Sequence, residues 1–195
     1  MSIAITSPTT TREKLIRAKH ATAGLAQLSS ANKNAILLGM ADAIDRNVDL
    51  ILAANRKDME SSGLAGAMLD RLLLNPERIA SMAQGMRDVA ALPDPVYETV
   101  AESTRPNGIR IRKVRVPLGV IGIIYESRPN VTTDTVALAF KTANAIVLRG
   151  GKEAAHSNHQ IVEILNKVSG VVPGAIELLD SSSRRGTGCR LPPVC

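Results

Sequence analysis

Apolar residues return every three or four positions through the first half of the chain. Leu15, Ala18, Thr22, Leu25 and Leu28 form one such stripe over 12–28, the spacing of one buried helix face. Ser29-Ser30 interrupts it and offers a hydroxyl to cap the next helix. Ile36, Met40, Ile44, Val48 and Ile51 then predict a single helix over 31–54, with Asp42, Asp45, Arg46 and Asp49 largely off the stripe. Gly63 marks a break, and a short helix is expected over 64–73. Asn75-Pro76-Glu77 opens another: Asn accepts from free N–H groups, Pro loses nothing at the first helical position, and Glu faces the positive helix end. Its stripe is Ile79, Met82, Met86 and Val89, and Pro93 and Pro95 end it. Residues 1–11, rich in Ser and Thr, are expected to be loose.

The period then changes. Segments 96–104 and 109–116 flank Asn107-Gly108, a tight-turn pair able to adopt positive φ. The second arm alternates from Ile109 to Val116 but slips once at Arg112-Lys113, where a bulge is expected. Beyond Pro117, residues 119–124 are nearly all apolar, as in a strand covered on both faces. A helix over 131–142, a buried strand over 145–148, a helix over 153–168 and a strand over 175–179 follow. Strand, helix, strand, helix, strand with short connections predicts a parallel sheet clothed by helices. The remainder, 181–195, has no periodicity.

Composition narrows the function classes. The 195 residues carry 24 Lys and Arg against 18 Asp and Glu, a net charge of +6, but aromatics are only 2%. Nucleic-acid platforms stack bases on rings, and the cations here are spread along the chain without a basic recognition helix. No nucleic-acid partner is therefore expected; a basic surface suits a phosphorylated cofactor or an acidic metabolite. No run approaches the roughly 18 apolar residues of a membrane span, and the first residues lack the form of a signal peptide. The cysteines, Cys189 and Cys195, form no metal or disulfide framework. A cytoplasmic protein without a membrane partner is the expectation.

Ligands of open parallel sheets bind beyond the carboxyl ends of the strands. Two segments arrive there: Tyr125-Glu126-Ser127-Arg128-Pro129-Asn130 and Arg149-Gly150-Gly151-Lys152-Glu153. Two guanidiniums, an ammonium, an amide and the N–H groups of a glycine pair at a helix start would suit an anion or cofactor phosphate; polar residues also serve turns alone. Neither GxGxxG nor GxxxxGK[ST] is present. Asn130 could donate to a developing oxyanion or simply cap the helix over 131–142. His156 and His159 share a helix face, but no further ligand suggests a metal site. Cys189 lies beside Arg190, which could lower a thiol pKa, yet nothing around it would fix its position.

Several of these stretches are familiar together. Leu69-Asp70-Arg71-Leu72, Val114–Gly122, Tyr125-Glu126-Ser127-Arg128-Pro129-Asn130-Val131-Thr132 and Lys141–Glu153 resemble the gamma-glutamyl phosphate reductase family of the aldehyde-dehydrogenase superfamily, over about residues 12–180. The resemblance implies NADPH-dependent reduction of L-glutamyl 5-phosphate to L-glutamate 5-semialdehyde and phosphate in proline biosynthesis. The chemistry would run through a cysteine thioester reduced by hydride. It also implies Asn130 as oxyanion donor, Arg149, Gly150, Gly151, Lys152 and Glu153 at the cofactor, a homo-oligomer, and glutamate 5-kinase as functional partner. Arg128 could assist an anionic substrate. Nothing here matches the surroundings of the family's catalytic cysteine, so a truncated, inactive chain is expected. A related aldehyde dehydrogenase and a non-catalytic nucleotide-binding or interaction fragment are the alternatives.

The expected fold class is α/β and aldehyde-dehydrogenase-like: a helical region over 1–95, a β-hairpin over 96–117, an incomplete Rossmann-like sheet over 118–180 and a tail of non-family character over 181–195. The functional expectation is geometric: both loops leave one rim of the sheet and bring Asn130 and the Arg149–Glu153 group to one cleft.

Overall fold

The computed structural model describes residues 10–168 and 170–180. Five helices come first: α1 (Thr11–Ala26), α2 (Ser30–Arg46), α3 (Val48–Ser61), α4 (Gly66–Leu72) and α5 (Pro76–Ala91). An antiparallel hairpin follows, β1 (Thr99–Thr104) with β2 (Arg110–Val114). The chain then runs β3 (Val120–Ile124), α6 (Pro129–Lys141), β4 (Ala145–Arg149), α7 (Ala155–Asn166) and β5 (Ile176–Leu178). The last three strands form a parallel sheet in the order β3-β4-β5. The expected α/β class, hairpin and strand–helix alternation are all present.

The cap residues read from the sequence act as caps. Ser29 accepts from the Asn32 N–H, and Asn75 accepts from the Arg78 N–H at 2.7 Å with Pro76 at the first helical position. Thr10 and Glu13 close a reciprocal capping box that starts α1. The continuous helix expected over 31–54 is two helices. Asn47 leaves helical geometry (φ −118°, ψ 26°), and its side-chain amide donates to the Ala43 carbonyl at 2.7 Å. That local bond offers the backbone an alternative to the next helical turn. The apolar spacing runs on across the break, which hid it, and α3 then continues to Ser61.

The core is one cluster shared by the helical region and the sheet. Leu37, Met40 and Ile44 of α2 face Ile79, Ala83 and Met86 of α5, all essentially solvent-free. α6 and α7 pack between this helical layer and the sheet, and α1 covers the opposite sheet face. Strand alternation makes that division visible. Glu177 points away from Ile176 and Leu178, and Arg17 of α1 meets it there at 2.8 and 3.0 Å. Its register partner is Val147, whose own partner is Gly122.

Three strand details depart from expectation. β3 is not covered on both faces, whereas β4 and β5 are. Among the described residues β3 hydrogen-bonds to β4 alone, and α1 lies chiefly over β4 and β5, so Val120, Gly122 and Ile124 stay exposed. The hairpin bulge is on the other strand. Thr99 pairs with Val114 and Ala101 with Lys113, which makes Val100 the extra residue rather than one at Arg112-Lys113. Both hairpin faces are exposed, so no burial forces a particular alternation. Of the Asn107-Gly108 pair only Gly108 takes a positive φ, +83°. No helix among the described residues is long and apolar enough to cross a membrane.

Candidate functional site

The parallel register places the ends of β3 and β4 side by side, with Ile124 opposite Arg149. Both site loops therefore leave the same rim. The Tyr125 N–H donates to the Arg149 carbonyl at 3.1 Å, extending the ladder one step. Beyond it the Ser127 hydroxyl donates to Glu153 Oε2 at 2.7 Å, joining the two loops by their side chains. That bond, with the local backbone, holds the Glu153 carboxyl below its usual value.

Beneath the junction, Tyr125 Oη lies 2.6 Å from Thr132 Oγ1, and Thr132 Oγ1 donates to Asn158 Oδ1 at 3.0 Å. Burial pushes the Tyr125 phenol up, against the opposing effect of its bond to Thr132. The glycine pair is explained here. A Cβ on Gly150 would come within 2.2 Å of Asn158 Nδ2 and 3.1 Å of the Tyr125 ring; one on Gly151 would come within 2.4 Å of Ser127 Oγ. Both glycines exist so that the two loops can approach.

The helix start after the glycines is already occupied. A 3-10 turn, Lys152–Ala154, separates Gly151 from α7. At α7 the His156 and Ser157 N–H groups donate to the two oxygens of Asp58 at 3.0 and 2.7 Å, and the Ser157 hydroxyl adds a third bond at 2.6 Å. Asp58, on α3 and 1% exposed, serves as the cap and the anion of that helix end. The N–H groups at the start of α7, beyond the 3-10 turn that follows the glycine pair, are thus taken by a carboxylate. Asn55, one turn earlier, bonds the Leu72 carbonyl, the Leu74 N–H and Ser157 Oγ, pinning the segment between α4 and α5 to the same point.

Asn130 is not a cap. Pro129 is suited to the first helical position, so α6 starts there; Arg128 occupies the cap position without a side-chain cap bond, and Asn130 is the second residue inside. Asn130 stabilises the charge of Asp134 one turn on, although burial of the Asp134 carboxyl outweighs this and raises its pKa. Of the predicted residues Arg128, Asn130 and Gly150 line depressions, and these are two different ones. Arg128 and Asn130 line a cleft of about 350 Å³ with Arg71, Arg78 and Asp134. Gly150 lines a second, of about 170 Å³, with Lys14, Asn158, His159 and Leu179. The loops meet at one rim as expected, but Asn130 and Gly150 line different clefts.

Asp58, Asn55, Ser127, Thr132 and Asn158 were not singled out from the sequence. For two of them a signal existed: Asn55 and Asp58 lie four and seven positions after Ile51, on the buried face of α3. A polar residue on an apolar stripe marks a buried partner. Cys189 and Cys195, with the whole 181–195 tail, lie outside the described residues.

A parallel sheet with polar loops joined at its carboxyl rim is of the α/β class that places ligands beyond the carboxyl ends of its strands. The aldehyde dehydrogenase family model matches residues 2–190, and the chain belongs to that family. Within it the resemblance is to gamma-glutamyl phosphate reductases. The one from Koribacter versatilis is 61% identical over 175 residues, covering 90% of this chain and 43% of the relative. The one from Geobacillus thermodenitrificans is 52% identical over 178 residues, 88% of this chain and 43% of the relative. The crystal structure of the Thermotoga maritima gamma-glutamyl phosphate reductase superposes with a TM-score of 0.83 at 38% identity, covering 89% of this chain and 44% of that one. The Saccharomyces cerevisiae structure gives 0.81 at 30% identity, covering 91% and 48%. The chain thus spans about 43% of the length of the curated relatives it matches.

Proposed function

We propose that this chain contributes to an enzyme reducing L-glutamyl 5-phosphate with NADPH, giving L-glutamate 5-semialdehyde and phosphate, in proline biosynthesis. The observation that carries the reading is the Ser127–Glu153 bond, because it joins the two stretches most characteristic of the resemblance at a ligand-binding rim. Glutamate 5-kinase would supply the unstable acyl phosphate; a homo-oligomeric, cytoplasmic setting belongs to the same reading.

The residues present fit a phosphorylated dinucleotide by charge rather than by a helix end. Lys152 is exposed and Arg149 half-buried at the end of β4, two cations flanking the glycine pair. They would hold the cofactor's ribose and phosphate, with Glu153 fixed by Ser127 as a hydroxyl acceptor. The bound nicotinamide supplies hydride. In the neighbouring cleft Asn130 would donate its amide to the developing oxyanion and Arg128 would attract the anionic substrate. The described residues include no cysteine, and no covalent step is assigned to them.

Titrating the chain with NADPH and NADH, followed by nicotinamide fluorescence, tests the cofactor half. NADPH should bind, and Lys152→Glu should weaken NADPH about tenfold more than NADH, the scale of one charge-assisted contact. Absence of NADPH binding at millimolar concentration overturns the reading. For the reaction itself, a polypeptide of the relatives' length should turn over in an assay coupled to glutamate 5-kinase; activity confined to simple aldehydes would favour an ordinary aldehyde dehydrogenase.

A further inference from the structure

The cleft lined by Arg71, Leu73, Leu74 and Arg78 and the smaller one at Gly150 share no lining residue among those described. The first turn of α7 nonetheless joins them. Two consecutive residues there, Ser157 and Asn158, are buried polar side chains with different neighbours. Asn158 Oδ1 accepts from Thr132 Oγ1 at 3.0 Å, and its amide nitrogen stands where a Cβ on Gly150 would collide with it. The Ser157 hydroxyl turns to α3: it donates to Asp58 Oδ2 at 2.6 Å and accepts from Asn55 Nδ2 at 3.1 Å.

Asn55 carries the connection onward. Its amide nitrogen also donates to the Leu72 carbonyl at 2.9 Å, and its oxygen accepts from the Leu74 N–H at 2.8 Å. Both amide hydrogens are thereby used, and Asn55 clasps the backbone before and after Leu73. Leu73 and Leu74 are wall residues of the larger cleft, and Arg78 donates to the Leu73 carbonyl at 2.8 Å.

Asn55, Asp58, Ser157 and Asn158 are all buried, so a bond broken among them leaves a polar group without a partner. A shift of the first turn of α7 therefore has two courses. It breaks these bonds, or it takes Asn55 and the Leu72–Leu74 segment with it. Packed hydrogen-bond networks of this kind carry coupling between distant sites. One hydroxyl serves both Asp58 and Asn55, which makes Ser157 the junction.

We propose that Ser157 is a positioning residue that couples the two clefts: a displacement at the glycine pair passes through the first turn of α7 and Asn55 to the Leu72–Leu74 wall. The inference rests on the proposed function only in taking the glycine pair as the cofactor side. On that footing, cofactor occupancy sets the shape of the other cleft. No step of the chemistry is assigned to Ser157 or Asn55.

The test reads the Leu74 amide of the full 195-residue chain by NMR, in a cycle of Gly150→Ala and Ser157→Ala. Gly150→Ala disturbs the loop without any ligand, by crowding Asn158. It should shift the resonances of the Leu74 N–H and the Asn55 side-chain amide, and leave the Met40 N–H of α2 in place. With Ser157→Ala present, the same change should still shift the Asn158 amide but no longer reach Leu74. That non-additivity is what a bond serving stability alone would not give. A Leu74 shift that survives Ser157→Ala, or no Leu74 shift with Gly150→Ala, overturns the inference. If either variant fails to fold, hydrogen exchange of the unmodified chain decides. The Leu74, His156 and Ser157 N–H groups should open as one unit, and separate openings overturn the coupling. NADPH added to the unmodified chain separates the two readings. NADPH that binds and moves Gly150 without moving Leu74 sinks the coupling alone; a Leu74 that answers Gly150→Ala in a chain that binds no NADPH sinks the cofactor assignment alone.

Discussion

Ser127 Oγ donates to Glu153 Oε2 at 2.7 Å, so the segment leaving β3 and the segment leaving β4 are held by their side chains as well as by the sheet. The link crosses 26 residues of sequence. Its strength depends on the carboxylate being ionised.

Ser127→Ala should therefore cost about 1 kcal/mol at neutral pH. The sign follows from the depressed pKa of Glu153: stabilisation is complete above the ordinary value of 4.5 and fades as pH falls through the lower folded value. Urea unfolding of both proteins across pH 7 to 3 should show their difference shrinking on acidification. A difference that grows toward low pH would contradict the assignment.

Gly150→Ala should destabilise by about 1–3 kcal/mol, because a Cβ 2.2 Å from Asn158 Nδ2 forces either the amide or the loop to move. Gly122→Ala is the control: no atom lies within 4 Å of its Cβ, and its φ lies outside the positive range. That change should stabilise by about 0.5 kcal/mol through the unfolded chain. Paired thermal melts read both.

Lys33 is 1% exposed, yet its ammonium meets Asp94 Oδ2 at 2.6 Å and the Lys141 carbonyl at 3.1 Å. Burial opposes ionisation of Asp94, but bonds from Lys33, Ser30 and the Val96 N–H outweigh it and keep the carboxyl below its usual value. Asp94→Ala should cost about 3–5 kcal/mol by stranding the ammonium. Adding Lys33→Met should recover much of that loss in denaturant unfolding. Equal stability of the single and double variants would show that the pair does not act as a unit.

Asp58→Ala should remove about 2–3 kcal/mol, since two N–H groups and a hydroxyl at the start of α7 lose their acceptor. Hydrogen exchange at His156 and Ser157 should accelerate locally. Unchanged protection there would mean that water replaces the carboxylate without loss.

Much of this architecture was legible from spacing alone. The caps at Ser29 and Asn75, the hairpin around Gly108 and the alternation from β3 to β5 each follow from local chemistry. What escaped depended on neighbours distant in sequence. The exposed face of β3 reflects where α1 stops, the bulge at Val100 reflects a hairpin without a buried face, and the role of Asp58 requires α3 beside α7. The break at Asn47 was local but masked, since the hydrophobic stripe continues through it. For the candidate site, the sequence indicated the two loops and their rim. It did not show that Asn130 and Gly150 would line different clefts.

The crowding at Gly150 and Gly151 has an evolutionary corollary. Two positions where any side chain is crowded resist retuning one substitution at a time. On the proposed cofactor role, a change of dinucleotide preference would therefore fall to the exposed Lys152, while the backbone beside it stays fixed.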